Sequence, residues 1–215
     1  MFGNPIRVEF DGLGVTLRPP TKEEAEALAL LFSSHIVQRY TMMDHALTTA
    51  DEGEWWEKTR KEPDSMLWAI VPDGNNDVPV GNTALHNIHP TWGGCTAGLV
   101  IADRAWWGKG VAYRANVAHT WFAATSLNRY TVQASVRTVN RYSFKSLLKV
   151  GYRISGQEDR NVFVDNAFLD TYVMSWVNPF KTGLLYPEGV PTELERSLAK
   201  AEETLELADK VVRFL

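Results

Sequence analysis

The run Trp106-Trp107-Gly108-Lys109-Gly110-Val111-Ala112 stands between an apolar, strand-like segment and a long helical pattern. No other stretch constrains the fold as much. Two glycines one residue apart let the backbone turn tightly and come close to a ligand. The helix that begins just beyond offers unpaired amides and the positive end of its dipole, so the natural guest is an anion. Lys109 is followed by Gly110 rather than Ser or Thr, which separates the turn from NTPase phosphate loops. The G-x-G-x-x-G spacing of dinucleotide sites also fails. Taken alone, the turn reads more readily as an ordinary strand-to-helix connection.

Periodicity and punctuation organise the rest. Val8 to Leu17 reads as an edge strand ended by Pro19-Pro20. Thr21 with Glu24 makes a capping box that opens a helix through Phe32, and Thr49 with Glu52 repeats the signature before Trp55 and Trp56, with a helix to about Arg60. Strands are expected at Met66 to Val71, Val80 to Ile88 and Cys95 to Ala102. They are separated by Asp73-Gly74-Asn75-Asn76-Asp77 and by a turn from His89-Pro90 to Gly93-Gly94. A helix from Ala112 to about Leu127 leads to a strand from Tyr130 to Val136. A short helix, Arg141 to Val150, ends at Gly151. Two strands, Arg153 to Val164 and Phe168 to Trp176, meet at an Asp165-Asn166 turn. This order predicts an α/β (α+β) domain over residues 1–177 with a mostly antiparallel sheet.

Hydrophobic residues make up 45% of the 215-residue chain, enough for a sizeable core, and the formal charge of −4 gives no basis for a nucleic-acid binder. No apolar run approaches the length of a membrane helix. Cys95 is the only cysteine, which excludes an internal disulfide and a cysteine-rich zinc site and fits a reducing compartment. A cytoplasmic protein acting without metal is the expectation; His86-x-x-His89 has no evident third ligand.

A second motif lies beyond the glycine turn. Asn140-Arg141-Tyr142-Ser143 opens a helix that ends in Leu147-Leu148-Lys149-Val150-Gly151-Tyr152, and helix capping by Asn140 is the simplest reading of its start. Strand, glycine turn, helix, strand, then N-x-x-S with L-x-K-x-G-Y together resemble the GNAT N-acetyltransferase superfamily over about residues 8 to 177. The family's pyrophosphate motif, Q/R-x-x-G-x-G/A, falls on Trp107 to Ala112, with Trp in place of Gln or Arg. The tryptophan and the N-x-x-S helix resemble the RimJ/RimL-like branch, which acetylates ribosomal-protein N-termini, and its small-molecule relatives.

The resemblance implies a splayed sheet holding acetyl-CoA between the Cys95 and Tyr130 strands. Backbone groups of Val100 and Ile101 would pair with the pantetheine arm. Trp107, Gly108, Lys109, Gly110, Val111 and Ala112 would hold the pyrophosphate, Asn140 and Ser143 the pantetheine end, and Lys145 or Lys149 the adenosine phosphates. Backbone donors near Val100 to Ala102 would polarise the thioester carbonyl, and Ser143 would protonate the departing thiolate. Many family members carry a base glutamate where this chain has Ala97. His86 is the substitute base nearest in sequence, and Arg39 and Tyr40 are expected to face the acceptor. Lacking that carboxylate, the site suits an amine that is easily neutral. An α-amine of pKa near 8 costs about 1.4 kcal/mol to deprotonate at pH 7, against about 4.6 kcal/mol for a lysine. The acceptor is expected to be a peptide α-amine or a low-pKa small-molecule amine. The alternatives are an antibiotic-type amine acetyltransferase and a non-catalytic acyl-CoA-binding module.

After Asn178-Pro179 the composition changes. Residues 178–191 read as a linker, and Thr192 with Glu195 as a third capping box. Leu194, Leu198, Ala201, Leu205, Ala208, Val212 and Leu215 then form a heptad seam on a helix over 192–215. So short a helix needs a partner: its own domain or, as the narrow seam suggests, a second copy in a homodimer.

Overall fold

The computed structural model describes residues 1–41, 45–89, 91 and 93–215. Asp11 and Gly12, with φ of 48° and 72°, turn the chain between β1 (Ile6–Phe10) and β2 (Leu13–Arg18). Positive φ at both central residues is the two-residue turn that follows the twist of paired strands. The expected single strand is therefore a hairpin, with Asp-Gly as its signal. The Thr21–Glu24 box opens α1 (Lys22–Phe32), and α2 (His35–Gln38) is a single turn. Helix α3 (Thr49–Thr59) is capped one residue earlier than expected, by Thr48 with Asp51. Glu52, freed from capping, is buried with 5% exposure.

Strands β3 (Met66–Pro72), β4 (Gly81–His86) and β5 (Gly94–Ile101) follow, then α4 (Val111–Thr125), β6 (Thr131–Arg137), α5 (Arg141–Val150), β7 (Arg153–Val164) and β8 (Ala167–Val177). These match expectation to within two residues at most ends. Pro90 and Trp92, in the expected turn before β5, lie outside the described residues.

Among the described residues, nine strands form one mixed, mostly antiparallel sheet in the order β7-β8-β6-β5-β4-β3-β2-β1-β9. One pair, β5 with β6, is parallel, and its register runs only from Gly94↔Thr131 to Thr96↔Gln133. Past that point the strands diverge into a V. Helix α4 covers one face, against Leu85, Cys95 and Ala97. Helices α1 and α2 cover the other, where Leu28, Phe32 and Val37 pack with Ala102, Val100 and Trp107.

Within the expected linker lie a 3-10 turn, Pro179–Lys181, and α6 (Thr182–Leu185). The third capping box does not form: Pro191 is the N-cap of α7 (Thr192–Val211) and makes no side-chain cap bond. The chain then leaves the helix early, as β9 (Val212–Phe214) pairs antiparallel with β1. Of the heptad seam, Leu194, Ala201, Leu205 and Ala208 are at most 2% exposed, because α7 packs on α4, α5, β8 and β1. Most of the face expected to meet a second subunit is thus covered within the chain, with Leu198 and Val212 half-buried and Leu215 exposed. Trp121 Nε1 adds a 2.8 Å bond to Asp209.

Candidate active site

The V between β5 and β6 exposes backbone rather than side chains. The Ala102 amide donates to Val80 at 2.8 Å, and antiparallel pairing alternates, so Val100 and Gly98 also turn their backbone groups toward β4 in the unbroken register. Leu99 and Ile101 turn theirs into the V. The Ile101 carbonyl there accepts the Trp107 indole N–H at 2.7 Å, leaving the Leu99 amide and carbonyl and the Ile101 amide facing the gap. Gly98 is exposed, and a Cβ built on it would meet nothing within 4 Å. The floor of the V is therefore an open strand edge with space beside it.

The mouth of the V leads to the N-terminus of α4. Gly108 (φ 74°) and Gly110 (φ 82°) both adopt the left-handed conformation that L side chains resist. The first intrahelical bond runs from Arg114 to the Gly110 carbonyl, which leaves the amides of Val111 to Tyr113 directed out of the helix end. Arg114 is 5% exposed, and its guanidinium binds the carbonyls of Leu13 (2.9 Å), Phe10 and Gly110. Its hydrogen-bond partners are all neutral, so this buried cation adds to the helix dipole. Lys109 lies over Trp106 at 4.8 Å and Lys149 over Tyr113 at 5.6 Å, which completes a basic rim. A backbone nest of this kind inside a positive field can seat a pyrophosphate.

On the far arm of the V, Asn140 caps α5 by accepting the Ser143 amide at 3.1 Å, and Ser143 is half-buried in the first turn. Asn116 on α4 bonds Ser146 on α5 at 2.8 Å, fixing the two helices that flank the V.

The opposite face carries an acceptor-side wall. Arg39 ends α2 and pairs with Asp165, while Tyr40 stacks edge-on against Trp107 at 5.9 Å. Arg137 at the end of β6 is 7% exposed and donates to the Gln38 and Arg39 carbonyls at 3.0 and 2.9 Å. His86 pairs across from Thr96, where the V is still closed, and its Nδ1 lies 3.1 Å from Ser65 Oγ. Burial holds its pKa below the usual histidine value despite Glu62 and Asp64 nearby. Beside it, Asn87, Thr96, Thr131 and Gln133 line a depression of about 380 Å³. Burial, helped by Asp51, pushes the Glu52 carboxyl up to about 7, and its Oε2 has no hydrogen-bond partner.

A model of the acetyltransferase (GNAT) domain matches residues 15–153. The chain belongs to the GNAT acetyltransferase family. Solved structures with this fold include spermidine N-acetyltransferase from Vibrio cholerae in complex with CoA and spermine. It is 16% identical, with a TM-score of 0.68 over 76% of this chain and 95% of that one. Mycobacterium smegmatis RimJ in complex with CoA-disulfide is 22% identical, with a TM-score of 0.66 over 98% and 95%. A GNAT-family acetyltransferase from Bacillus anthracis is 18% identical, with a TM-score of 0.65 over 80% and 98%. No curated protein matches the chain.

In this GNAT domain the glycine turn and the N-x-x-S helix flank one cleft. Three assignments change. Val100 and Ala102 spend their backbone groups on the sheet, so the backbone that faces the V is that of Leu99 and Ile101. The Trp107 indole is committed to Ile101 and Tyr40, so that residue supports the V and its indole N–H is not free for phosphate. Glu52 escaped notice because its place in the first turn made it look like a cap. Among the described residues no group of three His, Cys, Asp or Glu could hold a metal ion, and no helix is long and apolar enough to cross a membrane.

Proposed function

We propose that the protein transfers an acetyl group from acetyl-CoA to a primary amine, either a peptide α-amine or a small-molecule amine of low pKa. The observation that carries this is the open strand edge at Leu99 and Ile101, running toward the outward amides of α4. Such an edge suits the amide-bearing pantetheine arm, which would add to β5 as a strand does, and the turn from Gly108 to Ala112 suits its pyrophosphate. The fit is to this chain's own geometry. Bound here, acetyl-CoA supplies an activated carbonyl open to attack by a neutral amine.

The chain's residues would then divide the work. The Leu99 amide donates to the carbonyl oxygen as negative charge gathers there. Asn140 positions the pantetheine end through its side-chain amide, and Lys149 meets the adenosine phosphates. The nitrogen lone pair forms the new C–N bond, the C–S bond breaks, and Ser143 supplies the proton that the sulfur takes up. The amine's own proton leaves to a base on the acceptor face. His86, neutral near pH 7, fits that role, and Glu52, on the α3 helix that packs against α1, is a second candidate. Arg39 and Tyr40 border the acceptor's path. Trp107 and the N-x-x-S helix support the RimJ/RimL-like branch. A homodimer through the C-terminal helix would be left with Leu198, Val212 and Leu215 of the seam.

The test is thiol release from acetyl-CoA across a panel of peptides, polyamines and amino-sugar amines at pH 6 to 9. Turnover with α-amines exceeding that with lysine side chains supports the reading. Preference for a small amine selects the antibiotic-type alternative. Tight acetyl-CoA binding without turnover on any amine would make the protein an acyl-CoA-binding module.

A further inference from the structure

The Leu99 amide belongs to the same peptide unit as the Gly98 carbonyl, and that carbonyl is unusually well supplied with donors. The register sets Ala84 opposite Gly98, so the Ala84 amide bonds it within the ladder. The Thr83 hydroxyl donates to the same oxygen at 2.9 Å. Thr83 Oγ1 also lies 2.8 Å from His119 Nδ1. Thr83 and His119 are buried, at 1% and 0% exposure.

A hydroxyl has one proton to give. With that proton on the Gly98 carbonyl, Thr83 must accept from His119, which fixes His119 as the neutral tautomer protonated on Nδ1. The remaining ring nitrogen, Nε2, has no partner in the core, as suits a bare lone pair better than a buried N–H. Burial pushes the His119 pKa down to about 3, so the ring stays neutral, and the bond to Thr83 selects its tautomer. A chain of donors thus runs from α4 through β4 to one peptide of β5: His119 N–H to Thr83, and Thr83 O–H to Gly98. Donors on a carbonyl draw charge out of the amide on its other side and strengthen that amide as a donor.

We propose that Thr83 and His119 are positioning residues for acetyl transfer, forming a buried relay that orients and polarises the Gly98–Leu99 peptide so that its N–H is aimed into the V as the carbonyl-binding donor. This rests on the acetyltransferase reading of the site. The relay itself is a property of the protein alone, so its signature is present before any ligand binds.

Two measurements test it. In the unliganded protein, the Leu99 amide proton should resonate downfield in the wild type and in Thr83→Ser, and move upfield in Thr83→Val, which keeps the shape and removes the hydroxyl. With acetyl-CoA labelled by ¹³C at the thioester carbonyl, the bound carbonyl signal should move upfield in Thr83→Val. Its kcat should fall about tenfold with acetyl-CoA affinity within about twofold, and Thr83→Ser should restore both. If Thr83→Val does not fold, His119→Leu against His119→Asn decides, since the Asn amide can place a donor where Nδ1 stands. Equal Leu99 shifts and equal carbonyl signals in folded relay-deleted and relay-intact proteins would overturn the relay. If the wild type neither binds nor turns over acetyl-CoA, the functional reading fails, and the Leu99 shifts still decide the relay.

Discussion

Asp165 at the tip of the β7–β8 hairpin reaches Arg39 at the end of α2, with Oδ2 3.0 Å from Nε, and its other oxygen lies 3.0 Å from His35 Nε2. The two arms that the splay separates are clasped there, across the acceptor side of the V.

Removing the clasp should affect the acceptor more than the fold. Arg39 and His35 are 47% and 75% exposed at their side chains, and ion pairs so open to solvent contribute on the order of 0–1 kcal/mol. Asp165→Ala should shift the melting temperature by no more than about 2 °C and leave acetyl-CoA affinity unchanged. The acceptor KM should rise several-fold, and added salt should produce part of that rise in the wild type. Steady-state kinetics at two ionic strengths checks both.

Gly108 is the cleaner place to test the anion seat. A side chain at Gly110 would meet Arg114 Nη1 at 2.7 Å, whereas at Gly108 nothing lies within 4 Å. Asn and Asp tolerate the left-handed conformation better than other side chains. Gly108→Asp should weaken acetyl-CoA binding at least tenfold by calorimetry, while Gly108→Asn, equal in size and uncharged, should lose far less. Equal losses in the two variants would place the pyrophosphate elsewhere.

Gly98 faces open space on the acceptor side. Val suits a strand, so Gly98→Val should fold and bind acetyl-CoA with near wild-type affinity. The added methyl groups should occupy the amine's approach and lower kcat/KM for the acceptor about a hundredfold or more.

Glu52 ties stability to pH with a definite sign. Its carboxyl ionises near 7 in the fold and near 4.5 when unfolded, so the folded state holds the extra proton between those values. Stability is lost as pH rises from about 4.5 to 7, by on the order of 2–3 kcal/mol. Glu52→Gln should therefore melt increasingly above the wild type from pH 5 to 8. The same variant sorts the two base candidates. Loss of the near-neutral limb of kcat/KM in Glu52→Gln, but not in His86→Asn, assigns the base to Glu52, and the reverse result assigns it to His86.

Leu205 on the α7 seam is core, so Leu205→Ala should cost about 2–5 kcal/mol in denaturant unfolding. It should leave the sedimenting mass unchanged. A change in mass with intact stability would return the helix to a subunit interface.

Most of the fold is legible in the sequence because its signals are local. The Thr21–Glu24 box, the glycine turn and the Asn140 cap each name a helix start from a few neighbouring residues. What escaped depends on distance. Whether Thr48 or Thr49 caps α3 turns on which neighbour the core accepts, and that choice buries Glu52. The partner of the α7 seam is invisible until α4 and α5 are placed beside it. Backbone parity in β5 follows from a single bond, Ala102 to Val80, which no composition or period encodes. The relay joins residues 36 positions apart, and Thr83 and His119 read separately as ordinary strand and helix residues.

The chain enters β6 from α4 and, after β8, returns through α7 and β9 to the opposite edge of the sheet. Strands β6, β7 and β8 are thus a parenthesis, with both ends anchored in the larger arm. Such an arm does not peel away from a free end. The width of the cleft then behaves as a spring rather than a latch: a bulky acceptor would be admitted by bending of the sheet, with restoring force, and not by local melting. In native-state hydrogen exchange the amides of β6 and β8 would then open together with those of β4 and β5, as one cooperative unit.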